Sequence, residues 1–376
     1  MFFCAATFLV LPYCWAHDPV VSNVRARQLT DGTKRVEVLY DLSGAPAAGA
    51  TVSVVFSDDG GASYTISPPG SELSGVGPGI RNGVNRRILW NAVDSLPAGA
   101  FGEQYRARVM ATGTVNPGEE ITITLPGGVT MDLVYIPAGT FMMGSPTDER
   151  GRHTNEDLHE VTLTQGYYLG KYEVTQGQWE AVMGSNPAHD YGVGDNYPVY
   201  YVSWNDICGF PTGSDCLAGS FIGLLNTHLG TSVFRMPTEA EWERAARGGT
   251  QTEFSFDTSG NPAWDTLCGS FPEAESYMVW CGKNNGRVEE VGSKLQNPYG
   301  LFDMHGNLVE WVADWYESSY QIPADPDPTG PASGALRVLR GGYWSGPSQS
   351  CRSATRFNLT SSNTGNIMGF RLARSE

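Results

Sequence analysis

Phe234-Arg235-Met236-Pro237-Thr238-Glu239-Ala240-Glu241-Trp242-Glu243 is the stretch on which the fold turns. Thr238-Glu239-Ala240-Glu241 starts a helix, and Gly248-Gly249 ends it. Two other helix starts precede it. In Thr175-Gln176-Gly177-Gln178 the threonine hydroxyl takes an orphan N–H and Gln178 reaches back to close a capping box. Val174 and Trp179 are spaced for a hydrophobic staple, and Gly184 ends that helix. Ser203-Trp204-Asn205-Asp206 starts the other. Strand-like runs, Ile121–Leu125 and Met131–Pro137, flank a Gly-Gly turn, and later segments are rich in Gly and Trp. Few helices, short strands and long loops give the class α+β.

The chain has 376 residues, enough for two or three cores. A net charge of −16 argues against nucleic acid and anionic membranes as partners, since both need a basic patch. No run approaches the roughly 20 apolar residues of a spanning helix. Residues 1–16 read as a secretory signal: Phe2 to Tyr13 is apolar and short, and Cys14-Trp15-Ala16 places small residues before a cut at His17. That predicts a secreted, periplasmic or cell-surface protein in which disulfides are permitted. Cys208 and Cys216 flank a short loop and form a candidate pair; Cys281 has two candidate partners, Cys268 and Cys351, and the sequence leaves both open.

Residues 17–113 read as an all-β sandwich of the immunoglobulin or fibronectin kind. Arg35–Tyr40, Thr51–Phe56 and Tyr105–Met110 mix β-branched, aromatic and polar residues as half-buried strands do. Asp58-Asp59-Gly60-Gly61 reads as a hairpin turn. Residues 114–128 supply a linker and a first strand, and the second domain runs over 129–376. No internal repeat is visible.

Seven blocks across residues 129–374 resemble the formylglycine-generating enzyme, or sulfatase-modifying factor, family. They include Val134–Ser145, Tyr172–Trp179, Pro198–Asp206 and Phe234–Glu243. Asn297–Trp311, Arg337–Gly342 and Gly369–Leu372 complete the set in the family's order. The resemblance implies a variant of the C-type-lectin-like fold. In the copper-dependent members two cysteines five residues apart follow the Gly-Gly, hold one Cu(I), and serve to oxidise a sulfatase cysteine to formylglycine. Here Gly346 stands at the first of those positions and only Cys351 remains, with Pro347 beside it. One thiolate is a poor site for soft, two-coordinate Cu(I). The resemblance therefore implies the fold without copper; Cys351 is catalytic only if the chain is an oxidase with a rebuilt site, using a second thiol such as Cys281.

The resemblance also implies a structural calcium on the core loop, with Asp303 and Glu310 as side-chain ligands and Gly306 and Leu308 as carbonyl ligands. The plainer reading is a loop held by hydrogen bonds, with Glu310 against an arginine such as Arg340. The histidines lie on separate segments and form no metal set, and no Gly-x-Ser-x-Gly elbow or P-loop occurs. Tyr343, Trp344, Ser345, Gln349, Phe357 and Asn358 combine rigid aromatics with small polar residues, as binding surfaces do. The pattern resembles the variable proteins of diversity-generating retroelements. The reading is an exported binding module for a protein or glycan ligand; the alternatives are the rebuilt copper oxidase and a cell-surface structural component.

Overall fold

The computed structural model describes residues 19–29, 35–43, 50–57, 61–92, 106–113, 117–209, 216–258, 264, 266–282, 286–320, 322 and 325–375. The leader expected over residues 1–16, the Asp58-Asp59-Gly60 turn and the 211–215 loop lie outside them. The chain divides into two compact units, Met1–Asn116 and Pro117–Glu376.

In the first unit the strands are β1 (Val20–Gln28), β2 (Arg35–Ser43), β3 (Ala50–Ser57), β4 (Leu73–Ser74), β5 (Gly77–Ile80), β6 (Gly83–Asn91) and β7 (Arg106–Gly113). They form two antiparallel sheets, ordered β1-β2-β6-β4 and β5-β3-β7. Alternation decides which side chains turn inward. Val36, Val38, Tyr40 and Leu42 of β2 meet Val52, Val54 and Phe56 of β3 in one cluster, together with Ile88 and Trp90 of β6. Phe56 and Trp90 pack with ring centroids 4.5 Å apart. Each such side chain, once buried, contributes about 1.5–3 kcal/mol.

The second unit contains β8 (Glu120–Thr124), β9 (Thr130–Ile136), β10 (Gly139–Met143), β11 (His159–Leu163) and β12 (Tyr167–Gly170). There follow α1 (Gln176–Met183), α2 (Trp204–Ile207), α3 (Phe221–Leu229), β13 (Phe234–Arg235) and α4 (Glu239–Arg247). It ends with β14 (Val309–Trp315), β15 (Arg337–Arg340), β16 (Arg356–Leu359), β17 (Met368–Gly369) and β18 (Ala373–Ser375). The sheets run β13-β18-β12-β9-β8, β10-β11 and β16-β15-β14-β17. Strands outnumber helices, as the α+β reading expects.

All three expected helices form, each with its capping box: Thr175 with Gln178, Ser203 with Asp206, and Thr238 with Glu241. The fourth, α3, was not read from the sequence. Its cap, Ser220, lacks a glutamate three residues on, and Gly223 interrupts its apolar pattern. A Cβ at Gly223 would lie 2.0 Å from the Leu217 carbonyl oxygen, so the glycine is there for a close approach.

Every residue of α4 is buried, its charged ones included. Trp242, Ala245 and Ala246 pack on Val134, Leu169, Val312 and Val338. Buried charge is tolerated only when paired. Glu243 accepts from Arg247 Nε at 2.9 Å and pairs with Arg340, while Glu239 accepts from Arg356 Nε at 2.7 Å and Nη2 at 2.9 Å. This helix sets the floor beneath the loops that carry the candidate site.

Candidate functional site

The loop after β15 begins with Gly341 at φ 102° and Gly342 at φ 78°. A Cβ on Gly342 would sit 2.6 Å from the Cys351 sulfur. The glycine pair therefore folds the loop back onto Cys351, which is fully buried and is the free cysteine among the described residues. Phe254, Phe256, Trp264, Phe271, Met278 and Trp280 cluster with it. In those apolar surroundings burial pushes the thiol up to about 12, so it is a thiol and not a thiolate at neutral pH.

A second segment is stitched to this loop. Cys281 N–H donates to the Gly346 carbonyl at 3.0 Å, Ser348 N–H to Leu267 at 3.0 Å and Gln349 N–H to Thr266 at 3.3 Å. The Cys268–Cys281 disulfide closes the segment, and Cys208 pairs with Cys216 as expected. The choice left open for Cys281 is thus resolved toward Cys268. Copper does not fit the donor set present: Cys281 has no free sulfur, Gly346 offers none, and Cys351 is protonated among aromatic rings. The rebuilt site with Cys281 as second thiol is corrected on this ground.

The exposed face divides the six expected contact residues. Tyr343 and Phe357 are half-buried and meet edge to face with centroids 6.0 Å apart. Ser345 is exposed, and Gln349 and Asn358 are partly so. Trp344 turns the other way. It is 8% exposed, its indole N–H donates to the Asn366 carbonyl at 3.0 Å, and its ring packs 5.5 Å from that of Tyr191. It is core, because its neighbours Ala188, Tyr200, Val279, Val288 and Leu308 form an apolar cluster beneath the loop.

The core loop 303–310 is bound on all sides. Glu310 accepts from Arg371 at both oxygens, 2.7 Å to Oε2 and 2.6 Å to Oε1, and its Oε2 also accepts from the Trp242 indole at 2.8 Å. Arg340 lies directly across the strand pair from Glu310, yet its guanidinium turns to Glu243 and to the carbonyls of Ser353, Ala354 and Thr355. The arginine on Glu310 is therefore Arg371 and not Arg340.

Glu173, which no sequence signal singled out, accepts from Leu308 N–H at 2.8 Å and Asn307 Nδ2 at 2.7 Å. Burial and the nearby Asp303 and Glu310 carboxylates hold its carboxyl well above the usual range. Gly306, at φ 125°, has no room for a Cβ, which would lie 2.2 Å from the Val279 carbonyl oxygen.

Asp303 accepts from Gly292 N–H at 2.8 Å through Oδ2, while its buried Oδ1 has no partner. An orphaned carboxylate oxygen suits a hard cation; Glu310, with both oxygens engaged, does not. Of the expected calcium ligands, then, Asp303 fits by side chain, and Gly306 and Leu308 lie on the same loop with their carbonyls. Among the described residues no group of three or more His, Cys, Asp or Glu side chains is arranged to hold a metal.

This is an α+β domain whose long loops, pinned by glycines, a disulfide and buried ion pairs, carry the half-buried Tyr343–Phe357 pair. Residues 125–376 match the family described as Sulfatase-modifying factor enzyme 1-like domain, and the chain belongs to that family. It is 32% identical to the formylglycine-generating enzyme of Thermomonospora curvata over 310 residues, covering 66% of this chain and 95% of that one. It is 28% identical to the chaperone protein LppX of Paenibacillus barcinonensis over 280 residues, covering 66% and 91%. Among solved structures, Treponema denticola variable protein 1 is similar with a TM-score of 0.57 and 28% identity, covering 68% of this chain and 99% of that one.

Proposed function

We propose that this is an exported binding protein in which the family domain, of C-type-lectin-like fold, recognises a protein or glycan through Tyr343, Ser345, Gln349, Phe357 and Asn358. The first unit is read as an immunoglobulin-like sandwich. A calcium ion held by Asp303 with the Gly306 and Leu308 carbonyls would brace the core loop under that face.

The observation that carries the reading is the state of Cys351: one buried, protonated thiol with no second free thiol beside it among the described residues. Dithiolate copper chemistry lacks its donors, whereas the aromatic and small polar residues of the face remain. The relative named a chaperone supports binding of a protein partner.

A Cu(I) titration of the protein beside its Cys351→Ser variant tests it. The expected result is no tight one-to-one binding in either. Tight binding that the variant loses would move the oxidase to first place.

A further inference from the structure

Cys268 and Cys281 are joined across 13 positions, and theirs is the more accessible of the two disulfides among the described residues. Cys268 is exposed and Cys281 half-buried, whereas Cys208 is buried and Cys216 half-buried. Thiol–disulfide exchange depends on access to the sulfur under attack, so an external thiolate reaches Cys268 first.

The two arms of the bridged segment are held differently. The C-terminal arm is anchored by burial: Phe271, Ala274, Met278 and Trp280 belong to the cluster around Cys351, and the Val279 carbonyl accepts the Asn307 N–H at 2.9 Å. The N-terminal arm lies outside that core. Thr266 is half-buried, Leu267 is 61% exposed, and Cys268 and Ser270 are exposed. Burial therefore does little to hold residues 266–268 in place.

That arm bonds instead to the loop of the proposed face. The Leu267 carbonyl accepts from the Ser348 N–H at 3.0 Å and from its hydroxyl at 3.2 Å, and the Thr266 carbonyl accepts from the Gln349 N–H at 3.3 Å. Cys281 reaches the same loop, its N–H donating to the Gly346 carbonyl at 3.0 Å. The sulfur–sulfur bond closes this ring of contacts. Hydrogen bonds on an exposed strap open readily once the covalent closure is gone.

We propose that the Cys268–Cys281 disulfide is a redox latch on the 346–349 loop: oxidised, it holds the loop that carries Gln349 and follows Ser345; reduced, it lets residues 266–268 part from Ser348 and Gln349. The consequence for binding rests on the face proposed above; the latch itself does not. The reductant is a dithiol. One of its thiolates attacks the Cys268 sulfur, a mixed disulfide forms, and Cys281 leaves as a thiolate that takes up a proton. The second thiolate then attacks the reductant's own sulfur in the mixed disulfide and releases Cys268, which is protonated in turn. The dithiol ends as a disulfide, and its two protons end on the two cysteines.

Graded dithiothreitol on the full chain, read by alkylation with peptide mass mapping and by amide hydrogen exchange, tests the proposal. Cys268 and Cys281 should become alkylated at a lower dithiothreitol concentration than Cys208 and Cys216. Exchange over 346–349 should then rise about tenfold or more, the scale set by closing a loop of this length, while β14 and α4 keep their protection. Oxidised glutathione should reverse the rise. The Cys268→Ser, Cys281→Ser double variant should exchange fast at 346–349 with or without dithiothreitol; reversible reduction of the parent carries the test if that variant does not fold. Earlier opening of Cys208–Cys216, unchanged exchange over 346–349 once Cys268–Cys281 is reduced, or a rise that spreads equally to β14 and α4 would overturn the proposal. Exchange reads the latch and not the partner, so a face that binds nothing leaves this result standing.

Discussion

Arg371 grips Glu310 at two points, 2.7 and 2.6 Å, with both side chains out of contact with water. The same guanidinium reaches the Gly170 and Phe302 carbonyls at 3.0 Å, so one side chain ties β12, the core loop and β14 together. Glu173 and Asp303 lie in its field as well. Arg371→Ala leaves these carboxylates uncompensated and should cost about 3–5 kcal/mol, the usual effect of breaking a buried pair from one side. Urea unfolding measures it. A loss below about 1 kcal/mol would show that the pair does not organise the loop.

Cys351 should be inert in the folded protein. With the thiol raised to about 12 and no exposed surface, iodoacetamide at pH 8 should not label it until denaturant is added. Peptide mass mapping reads this directly. Gly342→Ala should open the site, since its Cβ would fall 2.6 Å from Sγ at a positive φ. We expect a loss of roughly 1–3 kcal/mol and partial labelling of Cys351 without denaturant.

The helices were legible because capping is local: a hydroxyl and an acid or amide three residues apart decide Thr175, Ser203 and Thr238 from within one turn of chain. The Cys208–Cys216 pair was legible for the same reason, its loop being short. What decided the site was not local. Glu173 meets Leu308 across 135 positions, Arg371 meets Glu310 across 61, and Trp344 turns inward because of Tyr191 and Asn366. Composition marked 343–358 as a surface, but a Tyr-Trp dipeptide cannot say which ring faces out. Cys281 had two candidate partners on sequence alone, and only three-dimensional proximity selected Cys268.

Calcium should act through Asp303. If its orphaned Oδ1 serves as a ligand, added Ca²⁺ raises the melting temperature, EGTA reverses the rise, and Asp303→Asn abolishes it. Glu310→Gln should retain the calcium response on its own lowered baseline, because both Glu310 oxygens already serve Arg371 and Trp242. A melting temperature indifferent to both additions would remove calcium from the core loop.

Alanine scanning of the exposed face must separate contact from fold. Tyr343→Ala removes a half-buried ring whose packing partner is Phe357, so binding of a partner should fall while stability changes little. Trp344→Ala empties a core position and should cost about 3–5 kcal/mol. Paired pull-down and thermal-melt measurements distinguish the two. If Tyr343→Ala and Phe357→Ala both leave partner capture unchanged, the face is not the binding surface.

His305 gives the domain an acid-sensitive element whose sign follows from its environment. It is buried as a neutral imidazole: Nδ1–H donates to the Cys351 carbonyl at 2.9 Å, and Nε2 accepts from Ser255 N–H at 3.1 Å and lies 2.8 Å from its hydroxyl. Burial lowers its pKa from 6.5 to about 4. Above pH 6.5 neither folded nor unfolded imidazole is charged, and its hydrogen bonds count in full. Between about 6.5 and 4 the unfolded chain takes up the proton first, so stability is lost as pH falls, on the order of 3 kcal/mol in all. Asp303 and Asp314, raised to about 6 and about 8, bind protons in the folded state first and oppose that slope. The difference between the parent and His305→Gln isolates the histidine. The parent's advantage should be greatest at pH 7 and shrink toward pH 4 in denaturant titrations; an advantage constant across that range would mean that His305 is not held neutral.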